Sequence, residues 1–332
     1  MTPCAIARPA IRVPAVEPPA RAIYWAIAAI WLVLLTGGRA LAMRIDSDFL
    51  LLLVPLGILI MTSIALRQRG WSAVGTAIEC ITMLATAAAS FVLLSLLLAR
   101  LRAPYADPIL DAAERALFPG FDWPRFVESF CRMAVPLRIA NIVYQSLWWQ
   151  MILLVLLLCM TGRRMRCWDF ALAWALSLSF ALAVFAVAPA IGAYGFHHIS
   201  HDAVRGVAVD VGWRQPLVLE HLRQAGAVIV HPQDMAGIVE FPSFHTASAV
   251  LFAWGFWAVR PARFVAIPVN VGVMFASVPI GGHYLPDILG GVVVAMLGIA
   301  AMRVWRKVEA GDFGQRKADP AVAAQATLQA GL

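Results

Sequence analysis

The chain has 332 residues, of which 61% are hydrophobic and only 14% charged. That balance excludes an ordinary soluble globular domain and means an integral membrane protein built of helices. The net charge of +7 does not mean nucleic-acid binding: the only lysines are Lys307 and Lys317, and the arginines fall mostly between hydrophobic runs, where they set membrane topology.

Residues 1–21 are proline-rich and basic and read as a disordered N-terminal tail. No small-residue cleavage site follows a short apolar core there, so no removable signal peptide is expected. Runs of about 20 apolar residues then recur, at 22–43, 48–66, 74–99, 140–161, 168–191, 243–259, 262–280 and 284–304. They predict an all-α, polytopic bundle of about eight transmembrane helices. Residues 22–99 form an N-terminal membrane module, 100–304 the main membrane domain, and 305–332 a polar, mobile cytoplasmic tail.

Two long connections interrupt the pattern, 100–139 and 192–242. The first mixes Asp107, Asp111, Glu114 and Arg115 with Ile109, Leu110, Leu117 and Phe118, as amphipathic interfacial helices do. Asp107, Asp111 and Asp122 read either as shaping an outer vestibule or, at least as well, as solvated interface charges. The second carries His197, His198 and His201 at spacings that suit zinc, but no fourth ligand is evident, and an interfacial loop is the plainer reading. The five cysteines, Cys4, Cys80, Cys131, Cys159 and Cys167, make neither a CxxC pair nor a disulfide framework. Glu79 falls inside the third run, where a carboxylate is costly and either functional or paired with a neighbouring helix. Asn141, Tyr144, Gln145 and Gln150 read as helix-packing polar groups.

Arginines cluster after the second, fourth and sixth runs (Arg67 and Arg69; Arg163, Arg164 and Arg166; Arg260 and Arg263). The links after the first and seventh carry Arg39 and Arg44, and none. Short positive loops favour the cytoplasm. Both termini are therefore expected inside, with the two long connections and the last inter-helix link outside. His245 and His283 then open their helices at the same outer face.

Those histidines sit in EFPSFHTASA, residues 240–249, and GGHYLPDILGG, residues 281–291. His283 and Asp287 are four apart and share a helix face, so the carboxylate can accept the Nδ1–H and leave Nε2 free. Pro286 marks a first helical turn, and Gly281 and Gly282 permit close backbone approach to a ligand. Ser243 is a plausible N-cap, and a helix N-terminus suits phosphate. One histidine as nucleophile and the other as acid for the leaving oxygen make a phosphoryl-transfer pair.

Pro242-Ser243-Phe244-His245 resembles the second signature of the type 2 phosphatidic acid phosphatase superfamily, and His283, Asp287 and Gly291 resemble its third. FPSFHT and GGHYLPD look most like the inositol phosphorylceramide synthase branch. The resemblance implies that His283 attacks phosphorus to form a phosphohistidine, that Asp287 orients it, and that His245 protonates the leaving alkoxide and then deprotonates the acceptor, with no metal or other cofactor. It departs from the family where a Lys-x6-Arg-Pro signature should precede, since no lysine occurs before residue 307, and where Ser277 stands six residues before the histidine in place of an arginine. Those losses favour a less charged phosphodiester or headgroup over a monoester. Arg223 is the best candidate phosphate ligand, with Arg205 and Arg214 behind it and Ser243 and Gly282 lining the site. Three readings follow: a phospho-headgroup transferase on a membrane lipid, a lipid phosphatase, or a scaffold or transporter that keeps the fold without the activity. The absence of a eukaryotic-style targeting signal leans towards a bacterial inner membrane, with the site facing the periplasm.

Overall fold

The computed structural model describes residues 18–235 and 237–318. Residues 1–17 of the expected N-terminal tail and 319–332 of the C-terminal tail lie outside the described residues. Each predicted apolar run is helical: α1 (Pro18–Ala40), α2 (Asp48–Gln68), α3 (Ser72–Ala99), α6 (Ala134–Gln145) with α7 (Leu147–Met160), α8 (Arg164–Val187), α11 (Phe244–Phe256), α12 (Arg260–Ser277) and α13 (Leu285–Ala318). The long connections hold α4 (Asp107–Leu117), α5 (Trp123–Cys131), the single turn α9 (Ala193–Phe196) and α10 (Val211–Gln224).

The fold is an all-α membrane bundle, with fewer full-length spans than the sequence pattern suggested. Among the described residues α1, α3, α8 and α13 are long and apolar enough to cross a membrane, and α6–α7 makes a fifth if its 48° bend is one broken span. The apolar parts of α2 and α11 are shorter. The bend falls at Ser146, whose hydroxyl donates to the Val143 carbonyl, a side-chain back-bond that deforms helices. Pro189 stops α8 just beyond Val187, four residues before the expected end. At the other terminus the expected tail is helical further than its polarity suggested, because α13 runs on to Ala318.

α8 is largely buried, leaving an exposed edge at Ser179, Ala183 and Val187, and packs against α13, α3, α11 and α1, as expected of a central helix that is apolar nearly all round. The outward faces carry Trp25, Leu32, Ile58, Trp148, Trp149 and Met296, exposed apolar groups that lipid would solvate.

Two ends of the bundle are assembled separately. At one, β1 (Met43–Ile45) pairs in parallel with β2 (Val228–Val230), a small departure from a wholly helical chain. There the Arg100 guanidinium donates to the carbonyls of Leu41, Leu222, Ala225 and Gly226, and Ala193 N–H donates to the Gly282 carbonyl. At the other end Arg166 stacks over Trp254 and donates to its carbonyl, while Arg306 pairs with Asp169. The connections after α1, α3 and α8 thus meet the α12–α13 link at one face, and the arginine-bearing links gather at the opposite one.

Candidate active site

The first face holds both signature histidines. Phe244 begins α11, and Ser243 caps it: its hydroxyl accepts from Thr246 N–H, and its own N–H donates to the Asp287 carbonyl. That bond ties the mouth of α11 to the first turn of α13. Gly291 makes the approach possible, since a Cβ there would run into the Ser243 carbonyl and Thr246. Gly282, at φ 81°, adopts a backbone that L side chains avoid and lies against the Tyr194 ring.

The rings of His245 and His283 lie 6.3 Å apart, centroid to centroid. Tyr144, just before the bend between α6 and α7, stacks on His245 at 4.3 Å and brings its hydroxyl to 3.4 Å from Nδ1. The sequence pattern marked Tyr144 as mere helix packing; its stacking on His245 makes it part of the site.

His283 is only 3% exposed. Its Nδ1 lies 3.3 Å from Asp287 Oδ2 and 2.9 Å from Glu240 Oε2, and Asp287 Oδ2 also accepts from Tyr284 N–H. The His283 carbonyl accepts from the Trp123 indole at 3.0 Å. Burial pulls the imidazolium down, but the Glu240 and Asp287 carboxylates outweigh it and push His283 up to about 10. One ligand atom each from Glu240, His283 and Asp287 lies within 4.8 Å of the others, the closeness a metal site needs. The 2.9 Å separation is nonetheless a hydrogen-bond distance, shorter than the roughly 3.3 Å between two ligands of one tetrahedral ion. A shared proton fits these atoms better than an ion.

More carboxylates surround this pair. Asp107, Asp111 and Glu114 lie on one face of α4, and all three are buried, so of the two readings for Asp107 and Asp111 the solvated one is corrected. Asp107 accepts from the N–H groups of Ile191 and Gly192 and from the Tyr284 hydroxyl. Glu114 accepts from Leu285 N–H at 2.7 Å and so holds the start of α13. Burial raises Asp107 to about 6 and Glu114 to about 7, against the hydrogen bonds that favour their charged forms. Asp111 pairs with Arg115 and lies 3.5 Å from His197. Beneath the site, Trp123, Tyr194, Val204 and Tyr284 belong to an apolar cluster separate from the main membrane core.

The other candidates take different partners. Arg223 donates to the Ala103 carbonyl and stacks on Tyr105 at 3.8 Å. Arg214 lines a surface cavity of about 290 Å³ with Leu96, His221 and Val230, which neither signature histidine lines. Arg205 is exposed beside Asp202. His197 stacks near Trp123 and His201 sits edge-on to Trp213, so the HHISH run does not converge on one point. Ser277 is buried and donates to the Val273 carbonyl.

Glu240 and Glu114 had no role in the sequence reading, and Asp107 and Asp111 only that of vestibule or solvated charges. The signals were present: Glu240 stands two residues before the Pro-Ser pair, and Asp107, Asp111 and Glu114 recur at i, i+4 and i+7.

A family model described as the PAP2 superfamily matches residues 109–301, which include all of these groups except Asp107. No curated protein and no solved structure matches the chain.

Proposed function

This chain belongs to the PAP2 superfamily, phosphatases and phosphotransferases that act on phosphate esters, and on that premise we propose that it transfers a phospho-headgroup from one lipid to a lipid hydroxyl. The observation that carries this reading is the pair of neighbouring imidazoles, tilted to one another, one of them held at Nδ1 by carboxylates. Rings at that centroid separation are close enough to act on one phosphoryl group, one by attack and the other by a hydrogen bond.

In the proposed cycle His283 Nε2 attacks phosphorus and the ester P–O bond breaks. The leaving alkoxide takes a proton from His245, and a phosphohistidine remains. The acceptor hydroxyl then gives its proton to His245 as its oxygen attacks phosphorus, the P–N bond breaks, and His283 is restored. Asp287 holds the tautomer of His283. Ser243 and Gly282 shape the mouth, and Arg223 is proposed to reach the phosphate by leaving its carbonyl and ring contacts.

Transfer is favoured over hydrolysis of a monoester by charge. A monoester phosphate carries close to two negative charges, yet the family's lysine is missing, Ser277 replaces its arginine, and five buried carboxylates surround the site. A phosphodiester with one negative charge suits that field better. An inositol-phosphate headgroup is our first choice, as the inositol phosphorylceramide synthase-like signatures suggest. The arginine-bearing links at the opposite end support a site at the outer, periplasmic face of a bacterial inner membrane.

The test uses purified protein in mixed micelles with phosphatidylinositol or phosphatidic acid, with and without a long-chain alcohol, following diacylglycerol and inorganic phosphate. Diacylglycerol from phosphatidylinositol, appearing only with the alcohol and without free phosphate, is the expected result. Diacylglycerol with free phosphate from phosphatidic acid would make the chain a phosphatase instead. Products no greater than those of His283→Ala with either lipid would point to a scaffold.

A further inference from the structure

Of the two carboxylates on His283, the one outside the recognised signatures lies closer. Glu240 Oε2 is 2.9 Å from Nδ1, against 3.3 Å for Asp287, and both side chains of the Glu240–His283 pair are 3% exposed. No hydrogen bond to another described group serves that oxygen. Room for the carboxylate is kept by Gly192, at φ 83°, where a Cβ would stand 3.2 Å from Glu240 Cδ. Gly192 is itself held by Asp107. A buried carboxylate with no partner is strongly disfavoured, so this arrangement makes physical sense only with a proton or positive charge on the imidazole.

We infer that Glu240 is a second positioning carboxylate for the nucleophile: with Asp287 it holds the Nδ1–H of His283, so that protonation of the attacking ring answers to two negative charges rather than one. This rests on the transfer reading for its role in turnover, but not for the contact itself. The groups facing His283 are Glu240 from the loop before α11, Asp287 from α13, His245 from α11 and Tyr144 from α6. Asp107, Asp111 and Glu114 of α4 lie behind Tyr284 and Leu285. With the ring protonated, Glu240, His283 and Asp287 together carry one negative charge; with the ring neutral, two. Loss of the Nε2 proton is therefore opposed, and the positive charge the ring regains when its free Nε2 bonds to phosphorus is balanced by both carboxylates.

The consequence has a definite sign. His283 attacks only when Nε2 is free, so kcat/KM rises with pH as the ring loses its proton. Glu240→Gln keeps the size and an acceptor oxygen but removes the charge. It should move the acid limb of kcat/KM for phosphatidylinositol with a long-chain alcohol downward by about 1–3 pH units, the usual effect of one adjacent charge. A role in packing alone would lower kcat without moving that limb.

The contact is read independently of turnover by titrating ¹⁵N-histidine-labelled protein in detergent micelles, with the His283 signal identified by its loss in His283→Ala. The expected result is a high titration midpoint in the parent, a lower one in Glu240→Gln, and an intermediate one in Glu240→Asp, which keeps the charge with a shorter reach. An unchanged midpoint in a folded Glu240→Gln, or in Glu240→Asp should the glutamine variant not fold, overturns the inference. A midpoint that moves in protein without His283-dependent turnover leaves the Glu240 contact standing and defeats the transfer reading instead.

Discussion

The two ends of this bundle bury charge in opposite ways. In the N-terminal helices Glu79 meets the Arg67 guanidinium at 2.9 Å and the Tyr24 hydroxyl at 3.2 Å, so carboxylate, cation and hydrogen-bond donor balance within one cluster. At the histidine face, Asp107, Asp111, Glu114, Glu240 and Asp287 crowd together, opposed chiefly by backbone N–H groups, Arg115 and an imidazole. Burial of ions is tolerated where partners are complete. Where partners fall short, the groups shift their protonation, and such sites are where proton-transfer chemistry is built. The contrast separates a cluster that holds helices together from one arranged to act.

The strongest way to break that contrast is His283→Ala. Loss of the attacking nitrogen should lower kcat by at least about 10³-fold, with folding preserved, because groups that act as a unit fail together. Turnover surviving within tenfold would place the chemistry elsewhere. His245→Ala comes next, with an expected loss of about 10²–10⁴-fold for a lipid substrate. That loss should shrink for a p-nitrophenyl phosphodiester, whose leaving group departs without a proton. An equal loss for both leaving groups would deny His245 the acid role.

Glu114 sharpens the comparison, since it acts through the backbone. Glu114→Ala removes the acceptor on Leu285 N–H and loosens the first turn of α13, which carries Asp287. We expect a stability loss of about 1–2 kcal/mol, as for other helix N-terminal acceptors, and a roughly tenfold fall in kcat. Glu114→Gln, which can still accept, should recover most of both. Failure of the glutamine to rescue would mean that the carboxylate's charge, and not its hydrogen bond, matters.

Much of this was legible in the chain. Every apolar run became a helix because a single lipid-facing run can satisfy its backbone hydrogen bonds within itself only that way. His283 and Asp287 do meet, as their spacing suggested, but not on one helix face: His283 lies in the link just before α13, and only Asp287 stands in the helix's first turn. Span lengths were less legible, since a run of hydrophobic letters does not show that Ser146 breaks one helix or that Pro189 stops another. The α4 carboxylates misled for a related reason: a helix mixing Asp, Glu and Leu reads as lying at a surface, and only the chain packed over it shows which face is covered. For Glu240 its place beside the Pro-Ser pair was a signal, but what it touches was not legible, because its partner lies 43 residues away across a helix pair (240 to 283).

The smallest effect on catalysis should come from the best-balanced charge. Glu79→Ala leaves Arg67 without that carboxylate on a side chain only 8% exposed. Breaking a buried pair from one side costs about 3–5 kcal/mol, and the long arginine stem lets the head swing towards the arginine-rich end, which trims that cost. Thermal unfolding in detergent should therefore show a lower Tm, while kcat and KM per folded molecule stay within about twofold. Glu79→Gln, which keeps the hydrogen bond from Tyr24, should lose less stability than the alanine. If either variant loses turnover with its Tm unchanged, Glu79 serves the reaction, and the division between a structural and a chemical use of buried charge does not hold for this protein.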